Sequence, residues 1–457
     1  MEASLNTRAG AAAEAATSGL TALPLPLQHR IILALPVDAR GRAACVARGW
    51  RNVLADPALW TRLNLSGSSG ISPGVARRLD RLLLGAAGRA RGQLRELDIT
   101  SRIFPPPSLL EVVTANAGSL RVLRLDEALF GEMHYDGIRK PTVDALLGAA
   151  PLLEVLEADF RCTLEDATRL LNLAPGPLRF RKVKALFPYN FGGVNAFGMH
   201  GDLERISPFA AALADRALQP ALSGFHFWRA WFEPEALDAL VDAVLVRRLP
   251  EVSFYRCLLP DTLPTAVARL LAGNSLTTLE FSSTAEGEFQ GEENPLLDAD
   301  GAALVAGALR ANTTLTTLEF HYGGLCLDID AAVAVLGALV GHASLRKLVL
   351  SDERNENPDA VGVALAAIVA ADAPALQELS IDNNDLSDEA LTPLVDALRG
   401  NRHLRRLNVS HNDLSEAFTR ERLLPAVRAN TGLRYLVCYD NSDDEVEELV
   451  NRRSQVA

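Results

Sequence analysis

Lysine is nearly missing from this chain: of its 45 basic residues only Lys140, Lys182, Lys184 and Lys347 are lysine. Basic charge as a whole is outnumbered, because 57 acidic residues leave a net charge of −12. A nucleic-acid binder gains affinity by releasing counterions onto a basic face, so this balance argues against that class. Cysteine is sparse as well. Cys45, Cys162, Cys257, Cys326 and Cys438 are odd in number and far apart, with no CxxC pair. That pattern offers neither a disulfide framework nor a zinc motif, and it predicts a reducing compartment, cytoplasm or nucleus. Long apolar runs are lacking too. The Ala-rich stretch at 360–371 (AVGVALAAIVAA) falls short of the roughly 20 residues that cross a bilayer, so no membrane partner is expected. Residues 1–20 are Ala-rich and polar without a hydrophobic centre, which predicts a disordered leader rather than a secretory signal. The eight histidines show no HExxH spacing, and the glycines of Phe191–Gly201 lack the Lys-Ser/Thr ending of a phosphate loop. No catalytic constellation, cofactor or metal site is expected, and the protein reads as a non-enzyme.

What the chain has in quantity is a repeat. Leu376-Gln-Glu-Leu379-Ser-Ile381-Asp-Asn-Asn384-Asp-Leu386 is followed by Leu404-Arg-Arg-Leu407-Asn-Val409-Ser-His-Asn412-Asp-Leu414, and both fit LxxLxLxxNxL. The phrase recurs less cleanly from Leu249, Leu276, Leu315, Leu345 and Leu433. Successive starts from Leu345 to Leu433 are 31, 28 and 29 residues apart, near the longer end of leucine-rich repeats. Alternation within LxxLxL turns the aliphatic residues inward from a short strand and the intervening ones outward. The Asn position falls where the strand turns, and a side chain there serves backbone groups that no ladder reaches. Cys257 holds that position in its repeat, so its role is expected to be structural.

Each phrase leads into an Ala/Leu-rich stretch at helical spacing, as with Leu391, Leu394, Val395 and Leu398 before Gly400. Strand then helix, repeated, predicts an α/β fold: a leucine-rich-repeat solenoid, or horseshoe, with a parallel sheet inside and helices outside. The full helix per repeat resembles the ribonuclease-inhibitor subtype. Weaker strand cores at Leu94–Ile99, Leu120–Leu125, Leu153–Leu156, Phe180–Val183 and Leu222–Phe227 carry the array back, so the repeat domain is expected over 67–457. Insertions are expected near 187–221, 282–300 and 351–359, with further extra length at Phe130–Pro141.

Upstream, residues 21–66 form a separate helical module. Leu23-Pro24 opens it, Ile31, Ile32 and Leu35-Pro36 close a first apolar stripe, Val46 and Trp50 follow, and Asp56-Pro57 precedes Trp60. Too short to bury a core alone, such a piece needs a partner. In this order the landmarks resemble an F-box, and the chain is similar to an F-box/leucine-rich-repeat protein. The family's acidic residue two places after the first Pro is replaced by Pro26. Its leucine-rich second helix here reads Ala39, Gly41, Ala43 and Ala44, which leaves less apolar area to bury. The resemblance implies docking through Leu23, Pro24, Ile31, Ile32, Leu35, Pro36, Val46, Trp50 and Trp60 onto a Skp-type adaptor. That adaptor links to a cullin scaffold, making the chain the substrate-recognition subunit of an SCF ubiquitin ligase with the repeats binding the target protein. The alternative is a repeat scaffold or regulator, GTPase-activating or inhibitor-like, without ligase function.

The outward strand positions would meet a target. They include Lys182, Lys184, Glu251, Ser253, Glu378, Asp382, Arg406 and Tyr435. The aromatic and ionisable sector of His226, Trp228, Tyr255, Glu280, Glu319 and His321 is the first candidate, since aromatic side chains dominate binding hot spots.

Overall fold

A computed structural model describes residues 24, 27–28, 31, 54–65, 73–100, 108–129, 142–172, 178–186, 200–220, 222–228, 230–255, 257–282, 296–321, 325–326, 328–352 and 357–438. Side chains are described for these except at 73–79, 126–129, 159–161, 178–186, 200–201 and 228. The expected leader at 1–20 therefore lies outside the described residues. So do the insertions' central stretches at 187–199, 283–295 and 353–356.

Contacts divide the chain into two compact units, one comprising Met1–Cys162 with Leu173–Val183, the other Thr163–Asn172 with Lys184–Ala457. The first unit builds a parallel run of strands: β1 (Arg62–Asn64), β2 (Glu96–Asp98), β3 (Val122–Leu129) and β4 (Val155–Cys162). Helices Pro73–Ala90, Leu109–Ala115 and Val143–Ala149 alternate with them. Strand β1 falls inside the stretch assigned to the N-terminal module. Its Leu63 lies opposite Leu97 in parallel register, so the sheet begins before residue 66. The signal was Leu63 and Leu65, an LxL too short to recognise alone.

After β5 (Leu178–Leu186) and β6 (His200–Gly201), the second unit continues with β7 (Gly224–Trp228) and β8 (Trp231–Phe232). Then come β9 (Glu251–Tyr255), β10 (Thr278–Ser282), β11 (Thr317–His321), β12 (Lys347–Ser351), β13 (Glu378–Ser380), β14 (Arg406–Asn408) and β15 (Tyr435–Val437). Here β7 pairs directly with β9, and each later strand pairs parallel with the next. The two-residue β6 and β8 pair with each other. A helix follows nearly every strand, from Pro234–Arg247 through Asp388–Leu398. The segment expected as an insertion at 187–221 contains the helix Leu203–Ala214, capped by Asp202, so its C-terminal part is a repeat helix.

The core lies between the sheet and the helices. Inward positions share register, so Phe227, Phe254, Phe281 and Phe320 form a ladder with ring centroids 6.3, 6.1 and 5.9 Å apart. These spacings exceed the strand spacing of about 4.8 Å, as expected for offset rings. Each ring contributes on the order of 1.5–3 kcal/mol by leaving water. Successive helices pack close enough that a Cβ on Gly362 would collide with the Ala390 carbonyl of the next helix.

The turns are held by side chains. Asn384 Nδ2 donates to the Leu350 carbonyl and Asn412 Nδ2 to that of Ile381, each at 2.9 Å, one repeat back. Cys257 occupies the equivalent place, buried, with its Sγ 3.7 Å from the Phe227 carbonyl. A second set sits where each helix gives way to a strand. Asn312 donates to the Leu271 carbonyl at 2.7 Å and accepts from the Leu315 N–H at 2.8 Å. Asn401 and Asn430 repeat the arrangement with Leu404 and Leu433, and His342 does so with an imidazole.

Candidate functional site

Parallel register turns the outward positions of consecutive repeats into rows. One row reads His226, Ser253, Glu280 and Glu319 across β7, β9, β10 and β11. Two residues further along the strands the next row reads Trp228, Tyr255 on β7 and β9, and Ser282, His321 on β10 and β11. Neighbouring strands lie about 4.8 Å apart, so residues of different repeats stand side by side.

The described side chains among them form one connected strip. The His226 imidazole lies 2.5 Å from Ser253 Oγ and stacks on Tyr255, with centroids 5.9 Å apart and planes at 27°. Tyr255 in turn faces His321 at 6.5 Å. Glu319 accepts from His321 Nε2 at 3.3 Å on one oxygen and from Lys347 Nζ at 2.8 Å on the other. Lys347 also lies 3.8 Å from Glu378. Further along, Asp382 accepts from Ser351 at 2.8 Å and Ser380 at 2.6 Å.

Burial opposes ionisation of Glu319, but the hydrogen bonds and charges of His321 and Lys347 override it and pull the carboxyl down to about 2. Burial likewise pushes the His321 imidazole down. The hydrogen bond to Glu319 and the fields of Glu280, Glu319 and Asp382 more than compensate, and its pKa is raised. The strip is therefore an ionic surface set on rigid strands, suited to binding a charged or aromatic group.

Of the sequence-derived sector, the structure brings together His226, Tyr255, Glu280, Glu319 and His321. The side chain of Trp228 lies outside the described ones, as do those of Lys182 and Lys184 on β5. Lys347 was missed as a participant. It stands immediately before the second leucine of its LxxL, the outward place held by Glu378 and Arg406 in later repeats, so the signal was present.

Of the proposed docking residues, Leu23, Ile32, Leu35, Pro36, Val46 and Trp50 lie outside the described residues. Pro24 is exposed, and its carbonyl accepts from the Leu27 N–H at 2.9 Å. Ile31 is 37% exposed and Leu27, four residues earlier, 44%. Trp60 is a correction to the expected docking face. Asp56 caps the turn Pro57–Trp60 by accepting from the Ala58 N–H, and this drives the indole inward to 1% exposure. Its Nε1 donates to the Leu54 carbonyl at 2.8 Å, and Arg89 lies over the ring at 5.1 Å. Trp60 thus serves the core of the first unit.

Residues 20–66 match the F-box-like family model. No curated protein matches the chain. Among solved structures, a Bacteroides fragilis protein matches with 14% identity over 61% of this chain and 70% of its own, at a TM-score of 0.37. Among the described residues no helix is long and apolar enough to cross a membrane. The chain joins an F-box-like segment to an array of leucine-rich strand–helix repeats.

Proposed function

We propose that this chain is a substrate-recognition subunit of a cullin-type ubiquitin ligase. In this reading the segment 20–66 docks on a Skp-type adaptor tied to a cullin scaffold, and the outward strand face binds the protein to be ubiquitinated. The observation that carries it is the F-box-like match at residues 20–66, directly ahead of a repeat array. Physical support comes from Leu27 and Ile31, helical, four residues apart and both exposed. Apolar side chains at that spacing share one helix face, and each contributes about 1.5–3 kcal/mol when a partner covers it fully. The strip from His226 to Glu378 supplies a rigid ionic and aromatic surface for the target. The chain itself contributes binding rather than catalysis, and the cytoplasm or nucleus is where such a complex would work.

The test is co-purification. Full-length chain should retain a Skp-type adaptor, and the double variant Leu35→Asp with Trp50→Asp should lose it while the repeats stay folded by circular dichroism. Adaptor retained by the double variant would overturn the docking assignment. No adaptor with the unaltered chain would leave a repeat scaffold without ligase function as the better reading.

A further inference from the structure

We propose that Glu280, Glu319 and His321 form a binding site for one divalent transition-metal ion of the zinc class. Each offers a ligand atom, and these atoms lie within 4.8 Å of one another. The register of β10 and β11 sets Glu280 opposite Glu319, and His321 follows two residues on along the same face. All three are half-buried, so the site is neither sealed nor fully solvated.

The individual contacts show why a cation fits. Glu319 has one oxygen held by Lys347 Nζ at 2.8 Å, while the other is turned toward His321 Nε2 at 3.3 Å. Orientation of a ligating carboxylate by an outer cationic donor is how metal sites fix their inner ligands. Nothing among the described residues hydrogen-bonds the Glu280 carboxylate. Its nearest ionic partner is His226 Nδ1 at 3.8 Å, beyond hydrogen-bond reach. Glu280 therefore offers its carboxylate oxygens beside those of Glu319 and the imidazole of His321. An ion coordinated by Glu280, Glu319 Oε2 and His321 Nε2 would take the place of the proton that His321 shares with Glu319, releasing it to solvent, with Lys347 retained on Glu319 Oε1.

The donor set selects the metal. One imidazole nitrogen with two carboxylate oxygens suits zinc and its first-row neighbours, whereas calcium and magnesium take oxygen ligands. Zinc ligands lie about 2.0–2.2 Å from the ion. Three protein ligands leave positions open to water or to a group from a bound partner. Sequence spacing does not reveal the site, because its ligands come from two repeats that only the parallel register brings together.

Isothermal titration of the metal-stripped full-length chain with zinc chloride tests this. The unaltered protein should show one site that Glu280→Gln and His321→Gln each weaken at least tenfold. Glu251→Gln, on the same face outside the cluster, should bind as the unaltered chain does. Thermal melts without metal establish that each variant is folded. Absence of a site, or either ligand variant binding zinc as tightly as the unaltered chain, would overturn the proposal.

Discussion

Asn430 clasps Asn401: its Nδ2 donates to the Asn401 carbonyl at 2.7 Å while also reaching the Leu398 carbonyl at 2.7 Å. Its own Oδ1 accepts from the N–H groups of Gly432 and Leu433, both at 2.8 Å. One buried amide thus settles four backbone groups where a helix ends and a strand begins. Asn401 does the same work one repeat earlier, donating to Val369 and accepting from His403 and Leu404.

Replacing Asn430 by Leu should therefore cost more than its change in volume suggests. Several buried groups lose partners together, at about 1–3 kcal/mol for each left unsatisfied. A loss of roughly 3 kcal/mol is expected in urea unfolding. Asn430→Asp should also be destabilising, because an ionised carboxylate keeps the accepting half of the clasp and loses the donating half.

His342 gives the array a built-in acid sensitivity. Its Nε2 donates to the Leu309 carbonyl at 3.1 Å and its Nδ1 accepts from the Leu345 N–H at 3.2 Å, which requires the neutral ring. Burial pushes its pKa down, and the hydrogen bond to Leu309 offsets only part of that. The unfolded chain, with an ordinary value near about 6.5, takes up the proton first. This contribution is complete above that value and is lost as pH falls through it toward the lower folded value. Unfolding measured from pH 7.5 to 5 should show that slope, and His342→Asn should remove it while nearly preserving stability at pH 7.5. Asn already fills the same place at 312, 401 and 430.

Arg247 is heavily engaged among the described residues of the second unit. It is buried, and it donates to the carbonyls of Leu213 at 3.0 Å, Asp215 at 2.7 Å, Leu218 at 2.8 Å and Gln219 at 2.6 Å. These carbonyls belong to the end of the helix Leu203–Ala214 and the turn that leaves it. Arg247→Met should cost at least about 3 kcal/mol, since hydrogen bonds from a charged donor are the stronger kind and the acceptors stay buried. Arg247→Lys should recover little, because a single ammonium cannot span four acceptors set around a planar fork. Hydrogen exchange should show the 213–219 turn opening in both variants.

Much of this was legible in the residues. The LxxLxL phrases located β2 to β4, β7 and β9 to β15, because inward leucines at alternate places leave a strand no other face to bury. Cys257 was read correctly as a turn residue from its position alone. Five of the six sector residues meet, since counting outward places within each phrase is enough once register is parallel. The asparagines at 312, 401 and 430 escaped notice because their work is done three residues ahead of the leucine that marks the phrase. Strand β1 is not legible as a repeat strand because only Leu63 and Leu65 mark it. Helix Leu203–Ala214 was absorbed into an insertion, for its repeat lacks a clean phrase ahead of it.

The clasps all lean one way. Asn312, His342, Asn401 and Asn430 each reach back to the carbonyls of the helix before their own. The repeats consequently overlap like roof shingles, every course covering the lower edge of the one laid earlier. Peeling from the C-terminal side leaves bared carbonyls on the remaining stack, whereas peeling from the other side leaves bared side-chain donors. The two ends of the stack thus present different groups as repeats are lost, which gives the array a chemical direction.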